Sequence, residues 1–344
     1  EDPGIDGLAA LLSPCADVAL EAMAARAQSL TRRHFGRTIA LFVPLYMSDF
    51  CRNGCLYCGF ATDRRRPRRR LEQDDLIAEL DAIAALGFGE ILLLTGERTP
   101  QAGFDYVHEA VRLAADRFQQ VCVEVFPMET AEYRRLADAG CTGITVFQET
   151  YDPAVYAQMH RWGPKRDFRF RLDTPARALE AGLRTAGLGA LLGLADPIRE
   201  ALCLFQHIEL LRRQCWRGGL SISFPRIRPQ RGGFQPPCPA GDRLLTRLIC
   251  ALRICLPDVT LTLSTREPPR FRDGIAGIGI NKMSAASRTT VGGYHDAAPP
   301  PDNGQFAVSD DRSVLEFCGR LRARGLEPVF KNWDRVYRGA PIPA

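Results

Sequence analysis

Lysine is nearly missing from this 344-residue chain: Lys165, Lys282 and Lys331 are the only three, so the basic side of its +5 net charge is almost all arginine. That bias reads as coding preference rather than a design for acidic partners. Long hydrophobic runs are missing too. No stretch of about 18 apolar residues occurs, which argues against a membrane span. The N-terminus has neither the basic flank nor the apolar core of a secretory signal. The expectation is a cytoplasmic protein with no membrane attachment. Basic stretches lack interleaved aromatics and any nucleic-acid reader motif, so no nucleic acid is expected as a partner. There is no internal repeat and no domain-splitting linker. The 12 cysteines are irregularly spaced in a chain rich in apolar residues, unlike a small disulfide scaffold. Nine of them lie outside one compact motif and read as small buried hydrophobes.

What is present is alternation. Ser13 and Pro14 form a helix start, Leu20, Met23 and Leu30 follow at helical spacing, and Gly36 offers a stop, which predicts a leading helix of about twenty residues. Apolar runs then predict strands at 39–45, 91–94, 121–126, 143–147, 188–192, 220–223, 259–264 and 275–280. Helical patterns separate them, near 73–86, 103–118, 130–139, 153–160, 174–185, 197–213 and 241–256. Eight such repeats predict a parallel sheet closed into an α/β (β/α)8 TIM-type barrel with an N-terminal helical extension. A six-stranded partial barrel with an appendage is the second reading. The expected organisation is one domain over 1–344, with an extension at 1–37, a barrel core at 38–285 and a C-terminal segment at 286–344 that closes the barrel. Pro/Gly-rich stretches at 229–241 and 291–304 read as loops.

Directly after the first strand comes CRNGCLYCGF, residues 51–60. It gathers Cys51, Cys55 and Cys58 at the barrel end where catalytic loops of this architecture collect. Structural zinc needs four closed ligands, yet the nearest histidine is His34 and the next cysteine is Cys122. Three thiolates on a four-iron cube would instead leave one iron open to a small molecule bearing an amino group and a carboxylate. In spacing, in Tyr57 before the third cysteine, and in Gly59 and Phe60 after it, the loop resembles that of the radical S-adenosylmethionine (SAM) enzymes.

That resemblance implies a [4Fe-4S] cluster on the three thiols and SAM as second cofactor. It implies further that the turn LLLTGE (92–97) receives the SAM amino group through Gly96 and Glu97; otherwise Glu97 only caps the next helix. VFQETY (146–151) places Gln148 and Glu149 for ribose hydroxyls, or leaves them at a solvated strand end. In FRLDTPARA (170–178), Arg171 and Thr174 resemble the pair that holds the methionyl carboxylate in biotin-synthase-like members, although Thr174-Pro175 is equally a plain helix start. GLGALLGLAD (187–196) could lie against an adenine or be simply a buried strand.

Together with SFPRIRP, LSTRE, GGY and the terminal KNWD, these motifs resemble the tyrosine lyase or 2-iminoacetate synthase family of thiazole biosynthesis. One departure is Ser48-Asp49 where the family usually has Ser-Asn. The related enzyme of hydrogenase-cofactor assembly adds a C-terminal domain with a second cysteine cluster, whereas only Cys318 comes late here. The resemblance implies a 5′-deoxyadenosyl radical and scission of L-tyrosine into 4-cresol and 2-iminoacetate, with thiazole synthase as the consuming partner. Tyrosine is chosen by the resemblance alone; another aromatic amino acid such as tryptophan, or a non-enzymatic protein with a structural metal, are the alternatives. A free amino acid brings a carboxylate, for which an Arg fork is the strongest handle. Arg266 in LSTRE is preferred, helped by Ser284, with Arg226 as the second candidate. The run RRRPRRR (64–70) reads either as a solvated, mobile face or as a basic rim that steers an acidic flavodoxin or ferredoxin toward the cluster.

Overall fold

In the computed structural model, which describes residues 3–295 and 304–331, eight parallel strands close on themselves. They are β1 (Thr38–Tyr46), β2 (Glu90–Leu94), β3 (Gln120–Glu124), β4 (Cys141–Glu149), β5 (Thr185–Ala190), β6 (Gly219–Ser223), β7 (Thr260–Leu263) and β8 (Lys282–Ser284). Closure comes from β1, which pairs with β8 through Ala40–Phe42 and with β2 through Val43–Tyr46. The six-stranded alternative is therefore excluded. Strands such as EILLL are buried along their whole length because both faces are covered, by the barrel interior on one side and by helices on the other.

The helices carry one apolar face each. Phe104–Ala115 buries Phe104, Val107, Ala110, Val111 and Ala114, a stripe of helical period turned to the sheet. The segments at 73–85, 130–138, 153–159, 197–214 and 242–255 lie where the periodicity puts them. The predicted helix at 174–185 stops at Glu180, and a short helix, Phe168–Leu172, precedes it.

Three expectations about elements are corrected. The leading helix is in three pieces: Gly4–Leu12, a 3-10 turn at Pro14–Ala19 that starts at Ser13 and Pro14, and Leu20–Phe35, which stops at Gly36. Leu8 and Leu12 of the first piece are fully buried, packed with the helix Asp242–Cys255. Second, the eighth strand is Lys282–Ser284, not 275–280. Pro269 instead opens a helix that ends at Ile275, and Gly277, at φ 73°, turns the chain back so that Ala276 and Ile280 bridge. The run is apolar because it is buried against Ile249 and Arg253 rather than because it is sheet. Third, a ninth strand, β9 (Glu327–Val329), pairs with Thr38–Ala40 of β1, below the residues of β1 that reach β2. Gly89, just before β2, donates its N–H to the Phe330 carbonyl at 2.7 Å, so β9 fills the seam at the barrel's N-terminal end.

The GGY motif is a fastening of the same kind. Buried Glu79 accepts the Gly293 and Tyr294 N–H groups at 2.8 and 2.7 Å, and the Tyr294 hydroxyl donates to the Pro44 carbonyl. Of KNWD, only Lys331 lies among the described residues, and the predicted loop at 291–304 falls outside them from 296 to 303.

Candidate active site

The thiol loop leaves the C-terminal end of β1 and folds back over the barrel mouth. Cys51 and Cys58 pack with Phe42, Tyr46, Phe60, Leu92 and Leu94 in a small apolar cluster distinct from the main core. Backbone amides point at the sulfurs: Glu97 N–H at 3.3 Å and Asn53 N–H at 3.5 Å from Cys51 Sγ, and Phe60 N–H at 3.4 Å from Cys58 Sγ. Such donors stabilise sulfur-ligated clusters. Burial pushes the Cys51 thiol up to about 11 and the Cys55 thiol higher still, so both stay protonated at neutral pH until a cationic group displaces the protons. Among the described residues, no three His, Cys, Asp or Glu side chains gather as a single metal ion requires.

Gly96 allows the β2 turn to reach this loop. A Cβ there would stand 2.3 Å from the Phe50 carbonyl oxygen and 2.7 Å from Cys51 Cβ, so any side chain would push the turn off the thiol. Next to it, buried Glu97 accepts from Asn53 Nδ2 at 3.0 Å. Phe60 is buried edge-on to Tyr46, and the Tyr57 hydroxyl reaches His160 Nε2 at 2.7 Å.

The reading of the Arg run as a solvated, mobile face does not match its geometry. Arg64, Arg66 and Arg68 turn inward and Arg70 pairs with Glu72 at the surface, while Arg65 and Arg69 stay exposed. Arg64 donates to the Leu56 carbonyl, and Arg68 to the carbonyls of Asp49, Phe60 and Ala61. Arg66 pairs with buried Asp49. The run is a strap that fixes the thiol loop from outside. As a basic rim it offers two free side chains rather than six.

At the end of β4 the ladder with β5 shifts register, and Glu149 sits at φ 71°, a rare conformation for a residue with a side chain. The shift sends Glu149 to Lys165 Nζ at 2.5 Å, with Arg171 at 3.9 Å. Burial opposes the charge on Glu149, but the two cations outweigh it and hold the carboxyl below its ordinary range. Its neighbour Gln148 turns to the helix layer, donating to the Phe168 carbonyl at 3.4 Å, with its own Oε1 buried and unpartnered. Arg171 also donates to the Phe147 carbonyl at 2.7 Å. Thr174 is fully buried, its hydroxyl donating to the Phe170 carbonyl and accepting from Arg177, which are the bonds of a helix start.

Below the thiol loop a cavity of about 340 Å³ runs into the barrel, lined by Tyr46, Glu124, Phe147, Arg266, Ser284 and Phe306 among others. Arg266 lies with its guanidinium 3.4 Å from the centroid of the Phe306 ring and makes one long bond, 3.5 Å, to the Arg226 carbonyl. Stacking fixes its plane and leaves the N–H edge available. Ser284 is beside it, its Oγ accepting from Thr265 N–H and from Ser287 Oγ, both at 3.1 Å. Arg226 is elsewhere. Its guanidinium is committed to Glu267, to Asp242 at 2.8 Å and to the Ala240 carbonyl, and it does not line the cavity.

Comparison with known proteins decides the family. Profiles of the radical SAM superfamily and of the biotin and thiamin synthesis associated domain match residues 45–202 and 223–327. The 2-iminoacetate synthase of Escherichia coli is 43% identical over 330 residues, 96% of this chain and 87% of that protein. The chain belongs to the 2-iminoacetate synthase family of radical SAM enzymes. Salmonella typhimurium 2-iminoacetate synthase gives the same identity and coverage. The crystal structure of HydG, a maturase of the [FeFe]-hydrogenase, superposes with a TM-score of 0.89 at 31% identity, over 95% of this chain and 73% of that one.

As a radical SAM lyase the chain uses a [4Fe-4S] cluster and SAM, and the structural-metal scaffold is set aside. The donor set fits: three soft thiols, amide donors to two sulfurs and an apolar wall that keeps water out. When bound, the cluster supplies the electron that splits the SAM sulfonium bond. Sequence reading missed several residues of this site. Gln305 joins the loop to the barrel, accepting from the Tyr46 hydroxyl at 2.7 Å while its Nε2 lies 3.7 Å from Cys58 Sγ. It lies 247 residues downstream of the thiol, a separation that no local pattern bridges. Lys165, His160 and Glu124 were missed too; the strand expected at 121–126 runs past Glu124, which the structure places at the strand's C-terminal end.

Proposed function

We propose that this chain cleaves the Cα–Cβ bond of L-tyrosine to 4-cresol and 2-iminoacetate, with SAM consumed to 5′-deoxyadenosine and methionine, in thiamine thiazole biosynthesis. The 43% identity to 2-iminoacetate synthase over 96% of the chain carries this reading. In it, Cys51, Cys55 and Cys58 hold the cluster, with Tyr57 and Phe60 packing the loop. Gly96, Glu97, Glu149 and Arg171 surround SAM. Of the other two residues expected there, Gln148 keeps an open acceptor, whereas the Thr174 hydroxyl is fully engaged within its helix.

Arg266 binds the tyrosine carboxylate in two-pronged fashion with Ser284 beside it, while Arg226 holds the loop after β6 through Glu267. Burial lowers the pKa of Arg266, a penalty that a carboxylate partner relieves. The closed barrel and its loops keep water from the reacting bond. Thiazole synthase takes the unstable imine, a flavodoxin or ferredoxin delivers the electron, and the setting is the cytoplasm. Among the described residues no single helix is long and apolar enough to cross a membrane.

The test is anaerobic incubation of reconstituted protein with SAM, reductant and tyrosine. Cresol should form in step with 5′-deoxyadenosine, and 3-methylindole from tryptophan in a parallel incubation, with no cresol from tyrosine, would overturn the substrate. Arg266→Ala should abolish tyrosine turnover while iron content and SAM binding stay normal. Ordinary saturation with tyrosine in that variant would remove Arg266 from this role.

A further inference from the structure

Glu124 is the last residue of β3, and Arg266 follows β7 by three positions. In a closed barrel of eight, these strands are four apart on either path and face each other across the mouth. Both side chains line the same cavity, as does Tyr46. An eight-stranded barrel is just wide enough for such side chains to meet across one small ligand.

The carboxylate of Glu124 makes no hydrogen bond or ion pair with any described residue. The cations that influence it are Arg266, Arg171 and Lys165, and Glu149 is the other carboxylate near it. Lys165 is already held by Glu149, and Arg171 by the Phe147 carbonyl. Of the two carboxylates lining the cavity, Glu90 is paired with Lys282. Glu124 therefore stands alone as an unspent acidic group at the barrel mouth. A carboxylate half-buried in a cavity without a partner is costly, and a fold that keeps one opposite an equally underused arginine is prepared for a ligand that carries both charges.

An α-amino acid carries both. Once Arg266 takes the carboxylate, the ammonium a few ångströms away would be left unpaired in a dry cavity. We propose that Glu124 receives the substrate's α-amino group, so that the charged end of the substrate is held between Glu124 and Arg266, and that Glu124 gives the site its preference for amino acids over des-amino acids. This rests on the amino-acid reading of the substrate. Burial pushes the Glu124 carboxyl up to about 7, and an ammonium binds its ionised form. Affinity for the amino acid then rises as pH increases through about 7.

The probes are L-tyrosine and 3-(4-hydroxyphenyl)propanoate, which lacks only the amino group, bound to anaerobic cluster-loaded protein in the presence of SAM. The native protein should prefer tyrosine by at least tenfold at pH 8, and less at pH 6. Glu124→Gln, an isosteric change that breaks no internal hydrogen bond, should weaken tyrosine at least tenfold, leave the propanoate within about twofold, and flatten the pH profile. Glu124→Asp should fall between. Iron content should match the native protein. Glu124→Gln protein that keeps the native preference, or that loses both ligands equally, overturns the assignment while the tyrosine reading stands. Native protein that binds neither ligand overturns both.

Discussion

Arg66 and Asp49 form an ion pair beneath the thiol loop, each side chain only 2% exposed. The pair ties the strap at 64–70 to the segment entering Cys51, and Arg69 N–H adds a 2.7 Å bond to the same carboxylate. Burial raises the Asp49 carboxyl despite these partners, so desolvation outweighs attraction and the pair fixes geometry more than it stabilises. Arg66→Met should cost roughly 3 kcal/mol by leaving a buried charge. Adding Asp49→Asn should recover most of that in urea unfolding, yet iron content after reconstitution should stay low in both variants.

Gly96→Ala should separate the β2 turn from Cys51, because the atom it meets first is the Phe50 carbonyl oxygen, which is backbone. Iron per chain should fall, and 5′-deoxyadenosine formation without tyrosine should drop at least tenfold. Native values in both assays would show that the loop gives way.

Asp310 sits among Arg272 and Arg312, and Arg272 also donates to the Ser284 carbonyl, so this network braces the cavity wall. Burial opposes the charge on Asp310, but the two arginines prevail and keep its carboxyl below the ordinary range. A depressed carboxyl stabilises the fold above its unfolded value, about pH 4, and that contribution is lost as pH falls further. Asp310→Asn should cost about 2 kcal/mol at pH 7. The gap from native protein should close on acidification below pH 4, and KM for tyrosine should rise.

His160 is buried between two oxygens, Tyr156 O at 2.8 Å from Nδ1 and the Tyr57 hydroxyl at 2.7 Å from Nε2. A carbonyl only accepts, so Nδ1 carries the proton and Nε2 accepts from Tyr57. Burial pushes the ring down to about 3, hence it stays neutral in the fold. A depressed imidazole contributes full stability above about pH 6.5, and roughly 1.4 kcal/mol is lost per unit below that. His160→Gln should be less stable at pH 8 but should show a flatter decline between pH 6 and 4 in chemical denaturation.

Glu124, Arg226 and Gln305 mark where local pattern stops being informative. Arg226 and Arg266 occupy like positions after successive strands, and nothing in SFPRIRP or LSTRE says which one is spent on a neighbour. That depends on Glu267, which sits beside Arg266 in sequence but reaches Arg226 in space. The Arg run misled for a related reason: consecutive charges look solvated until carbonyls of the folded thiol loop are seen to accept from alternate side chains. The apolar run at 275–280 was buried as expected, but burial does not distinguish a strand from a covered turn.

By itself the sequence determined the alternation that closes into a barrel and the three-thiol loop at its mouth, because both rest on spacing between neighbours in the chain. Which charges are neutralised internally and which are left facing the cavity was decided only by the tertiary structure. An ion pair's partner is chosen by proximity in space: Arg226 is spent on Glu267, 41 positions away, while Arg266 beside that glutamate in the chain is left facing the cavity.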